Sequence, residues 1–221
     1  MILVNGHAAD TVPANDRGLA YGDGVFRTLL AVGGAPQRWR AQYDKLEADC
    51  TALGIVCPPV ETLFEDVWQA ARALERAAVR ITITRGSGPR GYRPPQAAQP
   101  LRVVSAEPAA SVTYPMGVAV HLCRTRHARQ PALAGIKHLN RLENVLARRE
   151  WNEADVHEGL MQDTEGLVIG GTMSNVFIVE HGALITPRLT HCGVAGVSRS
   201  RVFAIAPYLQ VPCIEDDISL E

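Results

Sequence analysis

Residues 134–150 read "AGIKHLNRLENVLARRE", in which a lysine follows a glycine and precedes a helical pattern of apolar residues. Lys137 is one of only two lysines, with Lys45, among 22 basic residues, so this chain otherwise uses arginine for positive charge. Arginine is effectively always protonated, whereas a lysine shielded from water can lose its proton and act as a nucleophile. The stretch therefore indicates a chemical role for Lys137, and the alternative is a solvated lysine at the start of a helix.

Composition excludes several classes of protein. With 221 residues, 47% of them hydrophobic, the chain can form one large domain or two small ones. A formal charge of -1 and mixed signs throughout exclude a nucleic-acid partner or an anionic membrane surface. The chain has no leader pattern and no apolar run long enough to span a membrane, so we expect a cytoplasmic protein. Five scattered cysteines without a C-x-x-C pair predict neither a disulfide framework nor a metal site.

Hydrophobic periodicity predicts an α+β fold with much antiparallel sheet. Apolar residues recur at helical spacing from Arg40 to about Leu53, and β-branched runs at residues 79–84 and 101–106 indicate strands. The proline-bounded stretch at residues 108–114 predicts a linker between an N-terminal domain, residues 1–107, and a C-terminal domain, residues 115–221. The final "IEDDISLE" has the composition of a helix start without the helix, so we expect a C-terminal part to be missing.

Four stretches resemble one family. They are "NDRGLAYGDGVFRT" (15–28), "RGSGPRGY" (85–92), the stretch at 134–150 and "EGLVIGGTMSNVF" (165–177). In order and spacing they resemble the fold-type IV pyridoxal-phosphate enzymes, and within that family they look most like the aminodeoxychorismate lyases. The resemblance implies the two-domain D-amino-acid-aminotransferase-like fold, a homodimer, and pyridoxal 5'-phosphate in the crevice between the domains. It also implies conversion of 4-amino-4-deoxychorismate to p-aminobenzoate and pyruvate in folate biosynthesis.

The resemblance assigns roles to individual residues. Lys137 would hold the cofactor covalently and move a proton, while Lys45 replaces the family arginine that reaches the cofactor phosphate. Gly196, Val197 and Ser198 match a loop at a helix N-terminus, where backbone amides and the helix dipole favour an anion. The other positions assigned by the resemblance are Gly170, Gly171 and Thr172 at the cofactor ring and Tyr21, Phe26, Arg85, Arg90 and Tyr92 at the substrate entrance.

Gly170 departs from the family pattern. The family has a glutamate there, whose carboxylate keeps the pyridine nitrogen protonated. Glu165 is a poor substitute, because an odd offset along a strand places it on the opposite face. Three interpretations are open: a lyase whose aromatic product relaxes this need, another group or a water in the freed space, or loss of the cofactor chemistry. The alternatives to a lyase are therefore a branched-chain or D-amino-acid aminotransferase, or a non-catalytic relative.

Overall fold

The computed structural model describes residues 1–111 and 113–220. The chain forms two compact units, one of Met1–Val112 with Lys137–Asn140, the other of Thr113–Ile136 with Arg141–Glu221. Residue 112, which falls in the predicted linker, lies outside the described residues. The boundaries at residues 107 and 115 stay predictions. Residues 137–140 fall within the predicted C-terminal domain, yet they group with the first unit because their backbone bonds to one of its strands.

The helices and strands alternate irregularly along the chain. The helices are α1 (Arg17–Tyr21), α2 (Trp39–Ala52), α3 (Val60–Ala71), α4 (Leu142–Arg148) and α5 (Val197–Ile205). The strands are β1 (Ile2–Val4), β2 (His7–Ala8), β3 (Gly24–Val32), β4 (Ala35–Pro36), β5 (Arg76–Thr84), β6 (Leu101–Pro108), β7 (Ala119–Leu122), β8 (Val156–Gln162), β9 (Val168–Gly171), β10 (Ile178–Glu180), β11 (Ala183–Pro187) and β12 (Cys213–Asp216). This mixture confirms the predicted α+β class.

The first unit is built on one six-stranded antiparallel sheet. Its strand order is β2-β1-β6-β5-β3-β4, and the long central strands β3 and β5 pair over nine residues. Helices α2 and α3 pack on this sheet. The periodicity that predicted α2 is confirmed, since Tyr43, Leu46 and Cys50 are all buried on one face of the helix. Gly54 follows the helix with φ +62, a left-handed conformation that glycine adopts without strain.

The second unit contains two three-stranded sheets, β7-β8-β9 and β10-β11-β12. A buried cluster of Cys123, Ala147, Trp151 and Met161 joins α4 to the first of these sheets. The apolar residues predicted to form one face of α4 are mostly exposed, and among the described residues of the helix only Ala147 is buried. Their exposed fractions are 69% for Leu142, 53% for Val145 and 44% for Leu146.

The chain end differs from the sequence prediction. The stretch "IEDDISLE" does not start a helix: its first residues belong to β12, which pairs in parallel with β11 from Cys213 to Asp216. Ile218 is buried, and its carbonyl accepts the N–H of Val168 at 2.8 Å. The helix signal was wrong because pairing with a neighbouring strand outweighed the local preference of the aspartates. Within residues 1–111 and 113–220, every helix is too short or too polar to cross a bilayer.

Candidate functional site

The backbone from the Lys137 carbonyl to Leu139 is fixed against β3. Phe26 N–H donates to the Lys137 carbonyl at 2.9 Å, and Leu139 N–H donates to the Gly24 carbonyl at 2.9 Å. These two bonds make residues 137–139 run alongside the start of β3 as a short antiparallel bridge. The glycine before Lys137 in sequence therefore precedes an extended segment, and α4 begins five residues later.

The Lys137 side chain lies half-buried against an aromatic ring. Its Nζ is 4.7 Å from the ring centroid of Phe26, whose own exposed fraction is only 8%. The guanidinium of Arg80 is 3.9 Å from the same centroid. An aromatic ring attracts a cation to its face and also covers part of the amine from water. This environment suits an amine that must change its protonation state.

A carboxylate joins the two lysines. Asp49, 1% exposed on α2, forms an ion pair with the Lys45 ammonium one helical turn earlier. Its second oxygen accepts the backbone N–H of Lys137 at 3.3 Å. The Nη1 atom of Arg27 lies 3.9 Å from this same oxygen, and Arg27 Nη2 donates to Gln42 at 3.2 Å. Burial lowers the pKa of Arg27, while the neighbouring Asp49 raises it.

A second arginine of the first unit was missed by the sequence analysis. Arg17 is 3% exposed and donates to the Asp23 carboxylate at 2.8 Å. It also donates to the carbonyls of Gly91 and Tyr92, each at 2.9 Å. The hydroxyl of Tyr21 accepts the Gly91 N–H at 3.0 Å. Arg17 and Tyr21 therefore hold the loop of residues 85–92, called the entrance loop below. The Tyr92 side chain at its tip is 85% exposed.

The guanidinium of Arg85 binds other residues of the first unit, which leaves few donors for a ligand. Two of its N–H groups bind the Asp23 carboxylate, and two more donate to the carbonyls of Leu53 and Gly54 at 2.7 Å. Four of the five donors of a guanidinium are thus in use. Burial raises the pKa of Asp23, but the bonds from Arg85 and a second arginine outweigh burial and lower it. Arg90, in contrast, is exposed.

In the second unit, Glu158 on β8 organises the segment after β9. Its carboxylate accepts Thr172 N–H at 3.0 Å, Ser174 Oγ at 2.8 Å, Gly159 N–H at 2.9 Å and Met173 N–H at 3.3 Å. The Thr172 hydroxyl donates to it as well. Burial raises the pKa of Glu158, but these bonds outweigh burial and lower it. The sequence analysis missed Glu158, although an acidic residue in a short strand was a signal.

Gly170 has neither a side chain nor room for one. It is buried on β9 opposite Met161, and a Cβ placed on it would lie 2.9 Å from the backbone oxygen of Ser174. Any side chain at residue 170 therefore requires the turn at Ser174 to shift. Gly171 and Thr172, the other residues assigned to the cofactor ring, belong to the same segment.

The predicted anion loop precedes α5. Gly196 is the N-cap of this helix, and none of the described side chains caps it. The first amides of a helix, here those of Val197 and Ser198, have no acceptor within the helix and can bind an anion. A Cβ at Gly196 would overlap the Asn175 side chain, which donates to the Val194 carbonyl at 2.8 Å. A side chain at residue 196 would therefore displace the Asn175 amide.

The predicted residues divide between the two units. Lys137, Lys45, Phe26, Tyr21, Arg85, Arg90 and Tyr92 lie in the first unit, and Gly170, Gly171, Thr172, Gly196, Val197 and Ser198 in the second. In the part of the chain that the structure describes, no three histidine, cysteine or acidic side chains form a metal-binding group.

Comparison with known proteins identifies the family. The profile of amino-transferase class IV matches residues 24–221. The chain belongs to the class IV aminotransferase family. A class IV relative from Vibrio harveyi, an aminodeoxychorismate lyase, is 37% identical over 213 residues, which is 95% of this chain and 78% of the relative.

Solved structures and a second relative extend the class IV comparison. The crystal structure of 4-amino-4-deoxychorismate lyase from Pseudomonas aeruginosa is 41% identical, with a TM-score of 0.93, over 100% of this chain and 82% of that one. A putative branched-chain-amino-acid aminotransferase from Methanocaldococcus jannaschii is 30% identical over 99% of this chain and 79% of its own length. These matches confirm the predicted fold-type IV architecture. The chain spans about four fifths of its relatives.

Proposed function

We propose that this protein is a pyridoxal-phosphate-dependent lyase that converts 4-amino-4-deoxychorismate to p-aminobenzoate and pyruvate. The observation that carries the proposal is Lys137, a half-buried amine over the Phe26 ring, whose backbone N–H donates to Asp49 and whose carbonyl accepts from Phe26 N–H. Similarity to two lyases, at 37% and 41% identity, supports this substrate.

The residues present fit the cofactor at its aldehyde and phosphate ends. In the first unit Lys137 supplies an amine and Lys45 a cation, and in the second unit the amides of Val197 and Ser198 are donors of the kind that bind a phosphate. Arg27 is 4% exposed, and its Nε and Nη1 find no hydrogen-bond acceptor among the described residues, as expected for a site that receives an anion. At the pyridine end the fit is incomplete, because Gly170 offers no carboxylate.

When bound, the cofactor supplies an electron sink that stabilises negative charge on the substrate carbon. The residues of the chain do the rest. The Lys137 amine binds the cofactor and then holds or returns a proton at Nζ. Phe26 limits access of water to this amine. Arg90, exposed on the entrance loop, is the better candidate than Arg85 for binding a substrate carboxylate, because the donors of Arg85 are already engaged.

Gly170 favours elimination over transamination. Formation of an aromatic ring drives the lyase reaction forward, whereas transamination has no such driving force and needs a strong electron sink. A branched-chain or D-amino-acid aminotransferase is therefore the weaker candidate, although several relatives carry such names. A non-catalytic role does not explain why the amine of Lys137 is half-buried against an aromatic ring.

The proposal is tested by absorption spectroscopy and product analysis. Wild-type protein incubated with pyridoxal phosphate is expected to develop a visible band that Lys137→Ala abolishes and that Arg76→Ala, a control on β5, retains. Release of p-aminobenzoate from aminodeoxychorismate identifies the lyase, and glutamate formed from 2-oxoglutarate and an amino-acid donor identifies the aminotransferase. Absence of the band in wild type would refute the cofactor assignment.

We also propose that the protein is a cytoplasmic homodimer. The exposed apolar residues of α4, Leu142, Val145 and Leu146, support association with a second copy because such a patch is costly in water. Light scattering after size exclusion is expected to give twice the chain mass, and Leu142→Glu with Val145→Glu to give the mass of one chain. A wild-type protein with the mass of one chain would exclude the homodimer.

A further inference from the structure

Two cationic side chains and one backbone N–H of the first unit meet around one carboxylate. Asp49 is 1% exposed and contacts the Lys45 ammonium through one oxygen. Through the other it accepts the Lys137 backbone N–H at 3.3 Å and lies 3.9 Å from Arg27 Nη1. One negative charge therefore balances two cations at the point where the main chain of Lys137 is held.

The cations are too buried to be left without an anion. Arg27 is 4% exposed, and the exposed fraction of the Lys45 side chain is 21%. Removing a charge from water costs several kcal/mol unless an opposite charge compensates it. In the absence of a ligand, Asp49 is the carboxylate that compensates both cations, and it is therefore required for the first unit to be stable without a bound anion.

Asp49 competes with any anion that binds to Arg27 and Lys45. Arg27 keeps two N–H groups without a hydrogen-bond acceptor among the described residues, so the cluster still attracts an anion after Asp49 is satisfied. The carboxylate repels that anion by Coulomb's law, and the repulsion is weakly screened in a buried site. Asp49 thus stabilises the empty site and weakens the filled one.

We propose that Asp49 is a built-in counter-anion that sets the affinity of the Arg27–Lys45 cluster for a phosphate group while holding the Lys137 backbone. This inference rests on the proposed function, because it takes the cofactor phosphate as the anion that Lys45 receives. Neither the family resemblance nor the comparisons assign a role to Asp49.

The experiment measures phosphate affinity without the cofactor. Thermal unfolding of wild type, Asp49→Asn and Asp66→Asn is followed over a titration of inorganic phosphate, with sodium chloride keeping the ionic strength constant. Asp66 is the matched control: it is 5% exposed on α3 and accepts a bond from Arg102 at 2.5 Å. Without phosphate, both variants are expected to unfold at lower temperature than wild type, because each leaves a half-buried arginine or lysine without its carboxylate.

The two variants are expected to differ in their response to phosphate. Loss of one nearby negative charge should tighten phosphate binding to Asp49→Asn about tenfold or more. Asp66→Asn should bind phosphate as wild type does. Should Asp49→Asn fail to fold, the same increase is expected between Lys45→Gln, in which Asp49 and Arg27 balance, and the double variant Lys45→Gln/Asp49→Asn, in which the net charge of the cluster returns to +1.

Phosphate affinity equal to or weaker than wild type in Asp49→Asn would overturn the inference, as would an equal gain in Asp66→Asn. The visible band of wild type with pyridoxal phosphate separates the two proposals. If the band forms and Asp49→Asn shows no gain, only the inference fails. If no band forms and Asp49→Asn still binds phosphate more tightly than Asp66→Asn, the counter-anion stands and the proposed function fails.

Discussion

The Asn140 side-chain amide donates to the Gly22 carbonyl oxygen at 3.2 Å. This bond ties the end of the segment that carries Lys137 to the turn before β3, so it adds a third point of attachment to the two backbone bonds made by residues 137 and 139. Gly22 has φ +66, and a Cβ on it would overlap the Asn140 amide. The turn and the lysine segment are therefore fitted to each other.

Gly22→Ala tests this fit. We expect it to destabilise the protein by roughly 2–4 kcal/mol, because a strained backbone and a steric overlap add together. Gly33→Ala is the control, since Gly33 has φ +55 with open space around it and should cost only about 1 kcal/mol. In an Asn140→Ala background the two costs should become similar. Urea unfolding measures them, and equal costs in the wild-type background would contradict the fit.

Gly170→Ala and Gly170→Glu separate steric from electrostatic effects at the cofactor ring. Both add a Cβ 2.9 Å from the Ser174 oxygen, so we expect both to lower stability by roughly 1–3 kcal/mol. If the lyase reaction tolerates an unprotonated pyridine ring, neither variant should exceed wild-type turnover. If a carboxylate helps, Gly170→Glu should be clearly more active than Gly170→Ala. Equal turnover of the two variants would show that the carboxylate contributes nothing here.

Glu150 is expected to make the second unit sensitive to acid. Burial raises its pKa, but donors from Thr125 and from the Arg124 backbone outweigh burial and lower the pKa to about 2. A carboxylate with a lowered folded-state pKa stabilises the protein above its unfolded pKa, and this stabilisation is lost as the pH falls from about 5 toward 2.

Glu150→Gln should therefore lose stability at pH 7, by about 1–3 kcal/mol, and lose less at pH 3. The measurement is the urea midpoint as a function of pH. Glu75→Gln, at an exposed residue of the first unit, is the control and should follow wild type at every pH. A Glu150→Gln deficit that is the same at pH 7 and pH 3 would contradict the linkage.

Cys57 is expected to be the first thiol to react. A hydrogen bond from Cys50 and a second from Tyr43 lower the pKa of Cys57, which is half-buried. Burial raises the pKa of Cys123 and Cys192 to about 11 each. Because the thiolate is the nucleophile, iodoacetamide at pH 8 should label Cys57 before either of them, as peptide mass spectrometry will show.

Cys50→Ala removes one of the two donors and should slow labelling of Cys57 at pH 8 more than at pH 10, where the thiolate forms without help. Labelling of Cys192 ahead of Cys57 would contradict this order. Burial of Cys192 also argues against a chemical role for this thiol.

Strong periodicity and turn chemistry made much of the fold predictable. The apolar face of α2, the β3 strand with its Gly33-Gly34 turn and the His181-Gly182 hairpin all depend on local patterns, and the structure has each of them. Elements too short to show a periodic pattern were missed. The five-residue helix α1 depends on Asp16 as its N-cap, and the two-residue β2 exists only through β1.

The residues of the candidate site were predictable where the chemistry needs a residue type that is rare in this sequence. They were less predictable where the role of a residue depends on its buried contacts. Lys137 and Lys45 stand out in an arginine-rich sequence. The roles of Asp49, Arg17 and Glu158 depend on contacts between residues up to 88 positions apart, as for the Lys137 amide on Asp49, and no local pattern reports these. The resemblance assigned Arg85 to the substrate, but here Arg85 is 9% exposed and its donors bind other residues.

The placement of both lysines against Asp49 has a practical consequence for anyone handling this protein. Amine-directed coupling normally spreads over many surface lysines and leaves most molecules active. In residues 1–221 both side-chain amines belong to the candidate site, so succinimidyl esters, glutaraldehyde or an aldehyde resin that couple to either lysine are expected to disturb that site. Attachment through the amino terminus at mildly acidic pH would instead give a uniformly oriented, intact preparation.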